Sequence, residues 1–453
     1  MPRILHFGLG AFHRAHQASF TEDAGGWAIE AVSMRNPALS RALNAAGGRW
    51  HLVVRAPGGP EVREMTVIVR AHCLATDPAG TLARMADGEV QLVTATVTEK
   101  GYGFHPVTRR LDPDHPSIAP DLANPAAPAG LVGALVEGLR RRRAAALPGL
   151  TVISCDNLTG NGHLLAGLVD TFARLRDPAL ADWIAATCAF PDSMVDRITP
   201  ASTASTFAAV RDATGLDDPL AVETEPFRQW VIEDRFAGPR PAWETAGALI
   251  VEDVAPFEVM KLRMLNGSHS LIAYLGAVAG LEAVRDVMSV PALRKLVRAH
   301  MQAAAATLPA IPGFDPAAYA ADLIRRFENP AIRHLCLQIA ADGSQKMPPR
   351  IFAPAAEALA RGGDAAAFAL ATAAWARFLD GRTDQGAPLA LNDPLAGALA
   401  SAAASPSPVD ALARTLGLHD RPPFSSTIWC ALAESRLAAL RSHGVLNLAA
   451  DIA

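Results

Sequence analysis

The chain has 453 residues, half of them hydrophobic and 19% charged, with a formal net charge of −4. That length suits two or three domains with large apolar cores. The charge balance offers no general attraction to nucleic acid or to an anionic membrane surface, and no apolar run is long and uncharged enough to suggest a membrane span.

The N-terminus enters a strand almost at once, over residues 4–7, without a charged-then-apolar leader. The expectation is a soluble, cytoplasmic protein without a signal peptide. Further β-branched runs at 27–33, 66–69, 90–97 and 150–154 read as strands, with Ala- and Leu-rich helical stretches such as 131–143 between some of them. Strands alternating with helices imply parallel βαβ units. Residues Arg140 to Arg143 form the one dense basic run. No aromatic residues interleave with it, so it reads as a solvated helix end whose charges suit the dipole rather than a nucleic-acid patch. From about Val254 the apolar spacing becomes helical, Ala dominates and β-branched runs nearly vanish. A boundary near Glu252 therefore divides an α/β domain, 1–251, from a mainly α-helical one, 252–453. The five cysteines, Cys73, Cys155, Cys188, Cys336 and Cys430, are odd in number and scattered, which predicts reduced thiols.

The first strand runs into Gly8-Leu9-Gly10-Ala11-Phe12-His13. Gly8 permits a tight turn, and Gly10 lets a phosphate approach backbone N–H groups at a helix start, as in a Rossmann-type domain. His13 stands where the third glycine of that fingerprint usually lies. Two glycines at such a turn also occur for steric reasons alone, so the alternating pattern around them carries much of the reading. The second strand ends in Ser33, Arg35 and Asn36 without the acid that usually holds the adenine ribose, and Glu30 lies too far back. Arg35 suits a 2′-phosphate or is an ordinary surface charge. NAD and NADP both stay open on these residues.

The segment 256–269 holds Glu258, Lys261, Asn266 and His269. Taken as a uniform helix at about 100° per residue, it places all four within an arc of about 140°. A lysine desolvated there acts as a general base, and the competing reading is an amphipathic helix with a solvated side. Residues 154–162, at the C-terminal end of a strand, form a second polar cluster with Asn157, or an Asn-Gly turn. Asp196 to Pro200 form a third, or an ion pair and loop cap. None of Tyr102, Tyr274 and Tyr319 has a lysine four residues later, which argues against a tyrosine-lysine dehydrogenase. The scattered cysteines and absence of HExxH argue against a zinc site, so no metal is expected.

These segments, 8–17, 97–102, 154–162, 196–200, 225–234, the lysine helix and 342–346, resemble the long-chain mannitol dehydrogenase family in order over most of the chain. That family includes mannitol 2-dehydrogenase, arabinitol dehydrogenases, and fructuronate and tagaturonate reductases. The resemblance implies a Rossmann-type domain followed by a helical one, and hydride transfer between a nicotinamide cofactor and a polyol/ketose pair such as mannitol/fructose. It implies Lys261 as general acid/base, with Asn157 and Asn266 as amides on the reacting oxygen. It also implies His269 and Asp196 as substrate-hydroxyl contacts, Glu258 as a proton-passing carboxylate and Lys346 as a substrate-side lysine. Its cofactor segments add Phe12, His13, Thr98 and Glu99 to Gly8, Gly10 and Arg35, with NAD as the main cofactor and NADP as a possible second. Some polyol-specific members carry arginine eight residues before the last lysine, where this chain has Gln338, so a hexuronate substrate stays in play. The rival from another class is a nucleotide-binding sensor without catalysis. Its expected mark is a broken lysine-asparagine-histidine set, and here the set is intact. A small sugar alcohol or sugar acid is thus the expected partner, with the oligomeric state open.

Overall fold

In the computed structural model, which describes residues 1–452, five parallel strands form the central sheet of the first unit. Arg3–Phe7 lies in the middle. Ala28–Ser33 and then Ile68–Cys73 extend the sheet on one side, and Val90–Ala95 and then Thr151–Ser154 on the other. Taken in chain order the arrangement is 3-2-1-4-5, the doubly wound order in which ligands sit beyond the carboxyl ends of the strands. Both faces are covered, so the strands are apolar almost throughout, and all six residues of Ala28–Ser33 are buried. Alternation along the first strand assigns the faces: Leu5 and Phe7 pack with the helical residues Leu135, Leu139 and Phe172. Ile4 turns the other way, toward Phe20, Trp50, Trp230 and Trp243.

The expected strand at 66–69 begins later and is longer, Ile68–Cys73. The sequence reading missed the antiparallel hairpin Trp50–Ala56 with Gly59–Met65, which turns at Pro57-Gly58 outside the βα alternation. It also missed the short strands Ser193–Asp196, Val222–Thr224, Gln229–Glu233 and Leu249–Val251. The basic run is a helix end, as expected, with Arg143 exposed, but it is only partly solvated. Arg142 is 2% exposed and donates to the carbonyls of Met85 and Val90, each at 3.0 Å, while Arg140 and Arg141 pair with the buried Glu137. These arginines close carbonyls and a carboxylate that burial would otherwise leave unmatched.

The chain divides at Ala255/Pro256 into two compact units. In the second, the regular elements among the described residues are helices. Ala255–Met260 continues without a break through a π-helical turn, Lys261–Asn266, into Gly267–Ala279. Every residue of Gly267–Ala279 is buried, the polar Ser268, His269 and Ser270 included. The five cysteines are free thiols, and no helix among the described residues is long and apolar enough to cross a membrane.

Candidate active site

In the first unit the glycine turn follows from steric necessity. Gly8 has φ of +104°, and a Cβ there would fall 1.9 Å from the carbonyl oxygen of Thr96. At Gly10 the nearest atom to such a Cβ is 3.8 Å away, leaving room beside the backbone that precedes Ala11–Ala15. The two glycines thus do different things: Gly8 lets the ends of two neighbouring parallel strands approach closely, and Gly10 leaves an open approach to backbone. His13 is wholly buried, its ring stacked on His6 with centroids 3.4 Å apart. It has no surface to offer a cofactor and fills the helix–strand contact that a third glycine would leave thinner. Phe12 is partly exposed and stacks on His16 at 5.0 Å.

A cavity of about 520 Å³ opens beyond the carboxyl ends of the second, third and fourth strands. Arg35, Thr98 and Lys100 are among its lining residues, while Glu99 is exposed nearby in the chain and is not among them. Glu30 does not line this cavity. It is buried and holds His72 at 2.8 Å and Arg84 through two 2.8 Å bonds, and it also pairs with Arg3. Burial acts to raise its pKa, but the hydrogen bonds from His72, Arg84 and Arg3 outweigh that and hold the carboxylate at about 2.

Asn157 is exposed just past the end of the fifth strand, and Asp196 is buried at the end of Ser193–Asp196. Asn161 sews these two ends together. Its Nδ2 donates to the carbonyls of Ser154, Asp156 and Ser193 at 3.2, 3.0 and 2.8 Å, and its Oδ1 accepts from Ser193 N at 2.9 Å. The next residue, Arg197, is buried and donates to the Glu225 carbonyl at 3.0 and 3.2 Å, so the loop-cap reading holds for the arginine.

In the second unit Lys261 opens the π turn, and Lys261 and Asn266 are both partly exposed. A π turn advances less than 100° per residue, so the arc drawn for a uniform α-helix does not carry from Lys261 to His269. A second π-helical turn, Pro348–Phe352, follows the helix Gly343–Met347 that carries Lys346. Arg350 in that turn donates to the carbonyl of Asn266 at 3.4 Å and to Ser270 Oγ at 3.3 Å. Gly267 makes the approach possible: a Cβ there would lie 3.1 Å from the Arg350 carbonyl oxygen and 2.9 Å from His300 Nε2. His269 is buried beside Phe327 and His334, with ring centroids at 4.6 and 5.1 Å, and its Nε2 has no hydrogen-bond partner among the described residues. Burial first, then the charges of His334, Arg326, Arg350 and Lys261, push its pKa well below the ordinary histidine value. The ring is therefore neutral. Lys346 donates to the Ile339 carbonyl at 3.2 Å, and burial and Arg350 lower its pKa against the opposing pull of Asp342 and Asp393. Asn266, His269 and Lys346 thus share the neighbourhood of Arg350, Lys261 acts on His269, and Glu258 is partly exposed one turn before Lys261.

Residues 2–245 match the family model of the mannitol dehydrogenase Rossmann domain, and residues 253–433 that of the mannitol dehydrogenase C-terminal domain. The chain belongs to the mannitol dehydrogenase family. It is 44% identical over 404 residues to D-mannonate oxidoreductase of Escherichia coli, covering 87% of this chain and 83% of that one. Against mannitol 2-dehydrogenase of Aspergillus fumigatus the identity is 38% over 407 residues, covering 86% and 81%. The solved ternary complex of Pseudomonas fluorescens mannitol 2-dehydrogenase with NAD and D-mannitol superposes with a TM-score of 0.83 at 32% identity, covering 100% of this chain and 94% of that one. As a mannitol dehydrogenase family member the chain is an oxidoreductase, with a Rossmann-type domain followed by a helical one.

Within this family member, sequence reading missed Asp156, Asn161, Tyr102 and Arg350 as parts of the site's framework. The first three lie inside segments that had been singled out, but nothing local marks which polar side chain is spent on the backbone. Arg350 carried no signal, because its partners Asn266 and Ser270 are some 80 residues away.

Proposed function

We propose that this chain transfers a hydride between NAD(H) and a sugar acid, oxidising a hexonate to its keto acid or reducing the keto acid, as in a mannonate/fructuronate pair. A bound nicotinamide supplies the hydride acceptor or donor. The glycine turn with its open space at Gly10, and the cavity at the strand ends, fit such a dinucleotide. In this reading Lys261 takes the hydroxyl proton in oxidation and returns it in reduction. Asn266 donates an amide N–H to the reacting oxygen, with its own backbone held by Arg350. Neutral His269 contacts a substrate hydroxyl, and Glu258 passes the proton onward. Asn157 and Asp196 carry the roles of amide donor and hydroxyl contact.

The observation that favours an acid is Arg350. Its guanidinium donates to uncharged oxygens and makes no ion pair with a carboxylate among the described residues, and it stands close enough to Lys346 to depress that lysine. A largely buried guanidinium without an ion-pair partner favours an anionic ligand. The 44% identity with D-mannonate oxidoreductase supports the same choice. The second reading, a neutral pair such as mannitol/fructose, is favoured by the full-length likeness to the D-mannitol complex.

The test is NADH oxidation with fructuronate, tagaturonate, fructose and xylulose. A keto acid should exceed the neutral ketoses in kcat/KM by about 100-fold, the scale of one charge-assisted contact. Preference for fructose would turn the assignment to a polyol, and binding of NADH without turnover on any of the four would turn it to a nucleotide sensor.

A further inference from the structure

His334 packs on His269 edge-to-face, with centroids 5.1 Å apart and planes at 79°. Its backbone is fixed from elsewhere in the second unit. The His334 carbonyl accepts the N–H of Val284 at 3.0 Å, and two residues on Cys336 donates to the Glu282 carbonyl at 2.9 Å. The ring is held in place but left unused: it makes no hydrogen bond or ion pair among the described residues, though it is only partly exposed. Nδ1 is buried without a partner, so the Nε2 edge is the part open to solvent.

Burial first, then the charge of Lys346, lower the pKa of His334, and the ring is uncharged at neutral pH. A neutral imidazole carries one N–H and one lone pair. A buried N–H without an acceptor is rarer in folded proteins than an unused lone pair, which puts the lone pair at Nδ1 and the proton at Nε2. The accessible edge is therefore a donor in want of an oxygen. Lys346, whose charge reaches this ring, spends one of its N–H groups on the Ile339 carbonyl at 3.2 Å and keeps others. One neutral and one cationic donor thus stand near His269. A hydroxymethyl group offers them a single uncharged oxygen. A carboxylate offers two oxygens and a charge that matches the lysine.

We propose that His334 is a specificity-determining residue, donating its Nε2–H to one carboxylate oxygen of a sugar acid whose other oxygen meets Lys346. The inference rests on the sugar-acid reading above and adds to it the side chain that distinguishes the acid end from an alcohol.

The experiment measures kcat and KM for fructuronate and for fructose with NADH, in the parent chain and in His334→Phe, His334→Asn and His334→Gln. The two ketoses differ at one terminus, a carboxylate against a hydroxymethyl. Phe keeps a ring against His269 and Asn keeps a polar group, but both withdraw the donor from the Nε2 position, whereas Gln retains an amide N–H near it. The Phe and Asn variants should lose about 10- to 100-fold in kcat/KM for fructuronate, the scale of one hydrogen bond to a charged group, and less than about threefold for fructose. The loss should fall mainly on KM, and Gln should regain most of it. A residue that only packs against His269 would instead lower kcat on both ketoses together. That result, or a preference unmoved in the variants of a parent that favours fructuronate, overturns the role of His334 while leaving the sugar-acid reading intact. A parent that favours fructose, or turns over neither ketose, overturns that reading and this one with it. Circular dichroism identifies a variant that fails to fold, and Phe or Asn alone decides the ratio.

Discussion

Asp156 holds Thr98 in a conformation that threonine rarely adopts. Thr98 has φ of 68° and ψ of 159°, and its N–H is accepted by Asp156 Oδ1 at 3.0 Å. Oδ2 of the same carboxylate accepts Val97 N at 2.9 Å and the Tyr102 hydroxyl at 2.7 Å. One buried acid at the end of the fifth strand thus sets the loop that follows the fourth, where Thr98 and Lys100 line the cavity. A non-glycine residue at positive φ costs about 1–3 kcal/mol and persists only where its surroundings over-determine it. Asp156→Ala should therefore weaken dinucleotide binding about tenfold, the loss of a charged hydrogen bond, measured as Kd by fluorescence. Thr98→Gly should leave the melting temperature unchanged or raised. A clear fall in that variant would remove strain from the account.

Lys261→Ala should lower kcat by at least about 100-fold, within the range for loss of an acid/base, with the Kd for NADH retained. Single-turnover kinetics beside a binding titration make the comparison. Turnover close to that of the parent would take the proton-transfer role away from Lys261.

Acid stability should depend on Glu30. Its pKa is held at about 2, against 4.5 for an ordinary glutamate, so its folded state favours the charged form. The stabilisation is complete above the unfolded value and fades as pH falls from about 4.5 toward 2. Glu30→Gln should lower the melting temperature at neutral pH, where breaking a buried ion network costs about 3 kcal/mol. The gap between variant and parent should narrow through that acid window. A gap independent of pH would point to packing rather than charge.

Chelation should change neither activity nor melting temperature. His163, Asp192 and Glu233 do bring three potential ligand atoms within 4.8 Å of one another. Their atoms are engaged, however. Asp192 Oδ1 accepts the N–H groups of Gly162 and His163 at 2.7 and 3.0 Å, Oδ2 meets His163 Nδ1 at 2.6 Å, and Glu233 accepts Asp192 N at 2.9 Å. That pattern ties a helix start to a strand. Activity lost on prolonged EDTA treatment and restored by zinc would refute it.

Local periodicity and spacing by themselves determined the alternating parallel sheet, the change to helices near residue 254, the glycine turn and the lysine helix. Each is written within a few consecutive residues, because which side chains meet the core repeats every two residues in a strand and every three to four in a helix. The π turns at Lys261 and Pro348 are seen only in the tertiary structure, where Gly267 lies close against the Arg350 backbone. Glu30 shows the same division. On the sequence it is an acid too far back in a strand to reach a ribose. In the fold it is the centre of an ion network whose partners come from positions 3, 72 and 84. A polar group must find its hydrogen bonds somewhere once burial removes water. Which distant side chain supplies them follows from strand order and packing, and no window of consecutive residues contains that information.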